Sequence, residues 1–173
     1  MADQSASGPV TLDEVDFALL DSLHRDPQIG VLETSRRIGV ARATVQARLK
    51  KLEAAGVLAG YHPHLNLAAA GFDVQCFVQL ETVQGELGRI ADVLAAIPGV
   101  LEAFATTGGS DVLCRVAAAS HRDLQETLIE IGRSPLVARS ISIVVLSEIV
   151  PFRAMPLLNT LKRHPTARAP RYR

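Results

Sequence analysis

The stretch Gly39–Tyr61, GVARATVQARLKKLEAAGVLAGY, decides the fold. Gly39 breaks one helical pattern and Gly56 stops the next, as a left-handed cap. Between them, from about Arg42 to Ala54, Val45, Leu49 and Leu52 share one helical face. The opposite face presents Ala43, Gln46, Ala47 and Lys50, with Arg42 near the start. A short helix after a tight glycine turn reads as the second half of a helix-turn-helix. Upstream, Val31, Thr34, Ser35 and Ile38 keep helical spacing, although the middle two are weakly apolar. Farther upstream, Thr11-Leu12-Asp13-Glu14 reads as a capping box that opens a first helix. Leu12, Val15, Leu19 and Leu23 form its apolar face, Asp13, Asp16 and Asp21 fall largely off that face, and Asp26-Pro27 ends it.

The 173 residues carry 18 basic and 18 acidic side chains, and that balance argues weakly against a nucleic-acid partner. Distribution matters more than the sum. Six basic residues and no acid lie between Arg36 and Lys51: Arg36, Arg37, Arg42, Arg48, Lys50 and Lys51. A second acid-free stretch holds Arg153, Lys162, Arg163, Arg168, Arg171 and Arg173. One basic face suits DNA, whereas the plainer reading is a solvated helix surface. Hydrophobic residues make up 48%, enough for a buried core. No apolar run approaches the roughly 18 residues of a membrane helix, and Met1–Val10 lacks the pattern of a secretory signal. The expectation is a cytoplasmic protein with no membrane partner. Two cysteines, Cys76 and Cys114, make no disulfide framework and read as buried thiols. The five histidines show no metal-ligand spacing, and no nucleophile triad, phosphate loop or paired-carboxylate site is visible. Neither a metal nor a resident cofactor is expected.

Residues 73–150 carry a different periodicity. Val74, Cys76, Val78 and Leu80 alternate in a strand. Leu87, Ile90, Leu94 and Ile97 then follow helical spacing up to Pro98-Gly99. Val100–Thr106 and Asp111–Ala118 read as strands around Thr107-Gly108-Gly109-Ser110. Ser120 caps a helix carrying Leu124, Leu128 and Ile131, and Ile141, Ile143, Val145 and Ile149 alternate in a last strand. The order is βαββαβ, a ferredoxin-like split-βαβ domain with helices on one face of its sheet. Phe77, Val83, Val144 and Leu146 fall on the second face, and an apolar second face favours dimerisation. The fold class is therefore α+β, with five segments: a disordered lead-in over 1–10, a winged-type helix-turn-helix over 11–58, a β connector over 59–71, a sensing and oligomerisation domain over 72–152, and a basic tail over 153–173.

This combination resembles the Lrp/AsnC (leucine-responsive, feast/famine) regulators over roughly residues 11–150. TLDEVDFALLDSLHRDPQI is similar to the family's opening helix. Thr44, Val45, Arg48, Leu52, Gly56, Val57 and Leu58 stand at the positions of its recognition-helix pattern. TTGGSDVLCRV is similar to its second-domain loop, and VARSISIVVLSEI to its closing strand. Ala41 departs from the serine cap usual there, Thr34 from an apolar residue, and Ser110 and Val112 from bulky aromatics beside the loop aspartate.

The resemblance implies a homodimer, extendable to a tetramer or octamer, that binds double-stranded DNA and answers to a small-molecule effector, an amino acid or related metabolite. Arg42 and Gln46 have the chemistry to read guanine and adenine. With Ala43 and Ala47 they make the base-facing set, and Thr44, Arg48, Lys50 and Lys51 suit phosphates. Arg48 is equally readable as an internal ion pair. Thr107, Gly108, Gly109, Ser110, Asp111 and Ser142 correspond to the effector region, the glycines freeing amides for a carboxylate and Asp111 offering charge to an ammonium. A tight turn stabilised by Asp111 is the competing reading. An enzyme of the same architecture, a siroheme or haem-pathway decarboxylase, is the alternative; only His121 and Arg115 have suitable chemistry.

Overall fold

In the computed structural model, which describes residues 10–61, 63–83 and 86–163, helix α1 spans Glu14–Arg25. The expected lead-in through residue 9 and the tail from residue 164 lie outside the described residues. The capping box sits two residues later than the sequence predicts. Asp13 is the cap: its side chain accepts the Asp16 amide at 3.0 Å, and the Asp16 side chain accepts the Asp13 amide at 3.2 Å. Aspartate is as good a cap as threonine, and two carboxylates complete the box reciprocally. Helix α2 spans Val31–Ile38 and α3 spans Arg42–Ala54, as the spacing predicts. Gly39 between them takes φ +71°, a left-handed conformation that glycine adopts without strain. Thr34 is buried in α2, and its hydroxyl donates to the Gly30 carbonyl at 3.0 Å, which satisfies the polar group its position buries.

The chain divides into two units, Met1–His64 with Pro151–Arg173, and Leu65–Val150. The core of the first contains Leu19, Leu20, Val45 and Leu52. Met155 joins that cluster and Leu158 packs against it. Both belong to a helix over Met155–Arg163, the sixth in the chain (α6), inside the segment expected to be a basic tail. The charges there mask the apolar i, i+3 pair Met155 and Leu158, and Pro156 is tolerated in a first turn. The Lys162 ammonium lies 5.0 Å from the centre of the Phe17 ring on α1, within cation–π range. The β connector is also corrected: no strand forms over 59–71 among the described residues. The Ala70, Gly71 and Phe72 amides instead close turns on Asn66, Leu67 and Ala68 carbonyls.

The second unit has the expected element order. Strand β1 is Val74–Thr82, α4 Leu87–Ala95, β2 Val100–Ala105, β3 Val112–Ala118, α5 His121–Gly132 and β4 Val137–Val144. The antiparallel sheet has the order β2-β3-β1-β4. Cys76, Val78 and Leu80 of β1, Cys114 and Val116 of β3, Ile90 and Leu94 of α4, and Leu124 and Ile131 of α5 form its core. Ser120 caps α5, its hydroxyl accepting the Asp123 amide at 3.1 Å. The last strand differs from its prediction. It ends at Val144, so Leu146 and Ile149 lie beyond it, 98% and 91% exposed. Its faces are also exchanged. Val144 pairs with Cys76 and Ser142 with Val78, on the helix side, whereas Ile141 pairs with Gln79 and Ile143 with Phe77, on the open side. Directly opposed residues of an antiparallel pair share a face. Alternation in a sequence separates two faces without saying which one is inside.

Candidate nucleic-acid interface and effector cleft

The register of α3 turns Val45 and Leu52 into the core and leaves Arg42, Ala43, Gln46, Ala47 and Lys50 exposed, with Thr44 half-buried. The N-cap Ala41 makes no side-chain hydrogen bond to the helix start. Two cations expected at phosphates are used differently. The Arg48 guanidinium donates to the carboxylates of both Asp13 and Asp16, at 3.2 Å to Asp16. The Lys51 ammonium lies 2.7 Å from the Asp16 carboxylate. Asp16, which the helical spacing places off the apolar face, is fully buried. Hydrogen bonding from the Asp16 amide, then from Arg48, holds the Asp13 carboxyl below its ordinary range. Of the two readings of Arg48, the structure forms the internal ion pair. The α1 carboxylates fasten the middle of α3, and an open surface remains, with Arg42 and Gln46 in its N-terminal half and Lys50 beyond.

The loop after β2 is closed by two bonds: the Thr106 amide donates to the Asp111 carbonyl and its hydroxyl to the Ser110 carbonyl, both at 2.8 Å. Gly108 takes φ +113°, which requires glycine. Asp111 is exposed, but its carboxylate is engaged within the chain. One of its carboxylate oxygens accepts the Thr82 amide at 2.7 Å and the Thr82 hydroxyl at 3.0 Å, clipping the loop to the end of β1. Ser142 lies on the helix side of β4, away from the open face. Thr107, Gly109 and Ser110 line a cleft of about 470 Å³ on that open face, whereas Gly108, Asp111 and Ser142 do not.

The cleft's other walls come from residues that sequence spacing does not single out. Gln79 and Glu81 alternate with the buried Val78 and Leu80 of β1. Arg139 and Ile141 stand opposite them on β4, and Leu113 opposite Gln79 on β3. Arg139 reaches Glu81 at 3.4 Å. One end of the cleft thus carries a carboxylate, a guanidinium and the loop hydroxyls, and Leu113 and Ile141 supply apolar walls. Such a volume and mixed lining suit a small zwitterion.

Residues 12–59 match the family model of the winged helix-turn-helix DNA-binding domain, and residues 75–155 that of the Lrp/AsnC ligand binding domain. The leucine-responsive regulatory protein of Rhizobium meliloti is 33% identical over 124 residues, covering 70% of this chain and 80% of the relative. The chain belongs to the Lrp/AsnC family. The HTH-type transcriptional regulator AldR of Mycolicibacterium smegmatis is a further relative, 29% identical over 69% of this chain and 71% of its own. The fold is that of Escherichia coli AsnC, with a TM-score of 0.79 at 23% identity, covering 85% of this chain and all of that one. A Neisseria meningitidis regulator, crystallised as a complex with L-methionine, superposes with a TM-score of 0.78 at 26% identity over 87% of this chain and 100% of its own. A feast or famine regulatory protein of Mycobacterium tuberculosis, also complexed with L-methionine, gives 0.75 at 27% identity over 83% of this chain and 98% of its own. Like these Lrp/AsnC relatives, the protein is a DNA-binding transcriptional regulator and not an enzyme. The decarboxylase alternative falls with that assignment: Arg115 bonds to Gln75 at 2.9 Å on the open sheet face, while His121 begins α5.

Proposed function

We propose that the protein is a homodimeric, effector-tuned regulator that reads DNA through the N-terminal half of α3 and holds an amino acid in the cleft of its second unit. Arg42 and Gln46, with Ala43 and Ala47 beside them, face the base edges of the major groove. Thr44 and Lys50 touch phosphates. Arg48 and Lys51 hold the helix to α1. The single observation behind the effector reading is the Glu81–Arg139 pair in a cleft with apolar walls. An amino acid inserted there offers its ammonium to Glu81 and its carboxylate to Arg139 and the loop amides. The methionine complexes of the Neisseria and Mycobacterium relatives support that ligand class. The cleft opens on the same face as Phe77, Phe104, Ile141 and Ile143, so a second copy covering that face would meet the ligand, and tetramers or octamers are the natural extension. A ligand changes DNA affinity only if it binds one assembly better than another.

The test is fluorescence anisotropy on duplexes selected from a random pool, with and without each amino acid. Gln46→Ala should relax base preference, and Lys50→Ala should weaken all duplexes alike and lower the salt slope by about 1. Failure to bind any duplex, or indifference of binding and assembly to every amino acid, would sink the corresponding half of the reading.

A further inference from the structure

Two rows of side chains on the open sheet face make the floor of the cleft. In the first, Glu81 of β1 stands opposite Arg139 of β4. In the second, Gln79 has Leu113 of β3 on one side and Ile141 of β4 on the other, because β1 lies between those strands. Residues two apart on one strand face are separated by about 6.6 Å, so the rows follow each other at that distance. The glycine loop closes the charged end. There the Asp111 amide donates to the Leu80 carbonyl at 2.9 Å, and the Asp111 carboxylate holds Thr82. A ligand whose ammonium and carboxylate lie over the charged row therefore runs its side chain away from the loop, over Gln79.

Gln79 is out of keeping with its row. Leu113 and Ile141 flank it, and Phe104 of β2 stands beyond Leu113. Gln75, on the same face of β1, spends its amide on Arg115, whose guanidinium donates to it at 2.9 Å. The Gln79 side chain is half-buried in the cleft and has no hydrogen-bond partner among the described residues. Its amide offers both donors and an acceptor to whatever lies on it. A ligand chain placed there strips water from that amide, and a hydrogen bond that is not replaced counts against binding. A neutral amide on the ligand returns both kinds of bond. A thioether returns only a weak acceptor. A carboxylate or an ammonium must leave water for a gap between leucine and isoleucine, the costlier exchange. The methylene stem of each packs against Leu113 and Ile141 alike, so those walls do not discriminate.

We propose that Gln79 sets the selectivity of the cleft: it favours an amino acid whose side chain ends in a neutral amide over one that ends in an apolar or a charged group. The inference rests on the amino-acid reading given above and adds to it the class of side chain.

The full-length protein is titrated calorimetrically with the proteinogenic L-amino acids. Three of them, L-glutamine, L-methionine and L-glutamate, have side chains alike in length and different at the end. The tightest ligand should end in a neutral amide, and L-glutamine should bind about tenfold or more tightly than the other two. Gln79→Met should reverse the order of L-glutamine and L-methionine, a gain that misfolding cannot produce. Arg139→Gln should remove binding of all three, which ties the heat to this cleft. Equal or tighter binding of an apolar or charged amino acid by the wild type would overturn the inference and leave the amino-acid reading standing. So would an unchanged order in Gln79→Met, which would put the selectivity elsewhere. Binding that survives Arg139→Gln would place the ligand outside the cleft and overturn the inference. No binding of any amino acid would overturn the amino-acid reading itself, and this inference with it.

Discussion

The Lys51 ammonium sits 2.7 Å from the carboxylate of Asp16, an aspartate with no solvent exposure. Arg48 reaches the other oxygen of the same carboxylate, at 3.2 Å, and the Asp13 amide donates to the carboxylate as well. A buried carboxylate held by two cations and an amide joins the first turn of α1 to the third turn of α3. The recognition helix is therefore positioned by charge as much as by its apolar face.

Removing Asp16 takes the shared carboxylate from Lys51 and leaves Arg48 with Asp13 alone. Asp16→Ala should destabilise the helix-turn-helix by about 2 to 3 kcal/mol, below the usual range for a fully buried pair because both cations are partly exposed. Urea unfolding followed by circular dichroism gives the number. A loss under about 0.5 kcal/mol would mean that the network is replaceable by water.

Asp13 sets a pH dependence whose sign is fixed. Its carboxyl is held below the ordinary value by the Asp16 amide and by Arg48. A group depressed in the folded state contributes stability that is fully present above its unfolded pKa, about 3.9, and is lost as pH falls through the folded value. The stability gap between wild type and Asp13→Asn should hold from neutral pH to about 5 and close below about 4. A gap that widens on acidification would contradict the assignment.

In the cleft, Arg139 and Asp111 should separate cleanly. Arg139 is exposed and, among the described residues, paired across the cleft with Glu81, so Arg139→Gln should abolish any amino-acid-induced thermal shift and leave the melting point of the free protein nearly unchanged. Asp111→Asn weakens the clip onto Thr82 and should cost about 1 to 2 kcal/mol of stability whether or not ligand is present. If Asp111→Asn were neutral in stability and blind to ligand, Asp111 would be the ammonium site instead.

Burial raises the thiol of Cys114 to about 11 and pushes that of Cys76 up as well. Both are fully enclosed between sheet and helices. At pH 8 a disulfide exchange reagent should react with neither in the native protein and with both after denaturation. Rapid release of one equivalent from the folded protein would show that the sheet opens there.

Much of the architecture was legible because each element carries its own period. The bounds of α2 and α3 follow from Gly39, Gly56 and the Val45–Leu49–Leu52 face, and the βαββαβ order from the alternation in residues 74–80 and the glycine loop at 108–109. The face of β4 was not legible, because an edge strand with apolar residues on both sides has no inward signal of its own; only its register against β1 decides it. The cleft was half legible. Thr107, Gly109 and Ser110 lie in one conspicuous loop, whereas Glu81 and Arg139 are 58 positions apart and meet only through strand pairing. Asp111 shows the converse: a conspicuous acid whose partner, Thr82, lies 29 positions away. In α6 the basic residues stood out and the apolar pair that anchors them did not.

The open face of the sheet has a thermodynamic consequence. Phe104, Ile141 and Ile143 are each about half exposed there, so the second unit alone has helices on one side and oily residues against water on the other. A second copy covering that face, as proposed above, would extend its core, and part of the folding free energy would then be free energy of association. In the homodimer proposed above mass action would govern: its melting temperature would rise with total concentration and fall on dilution. In a cell, the number of copies made would set the durability of each copy along with the occupancy of its DNA.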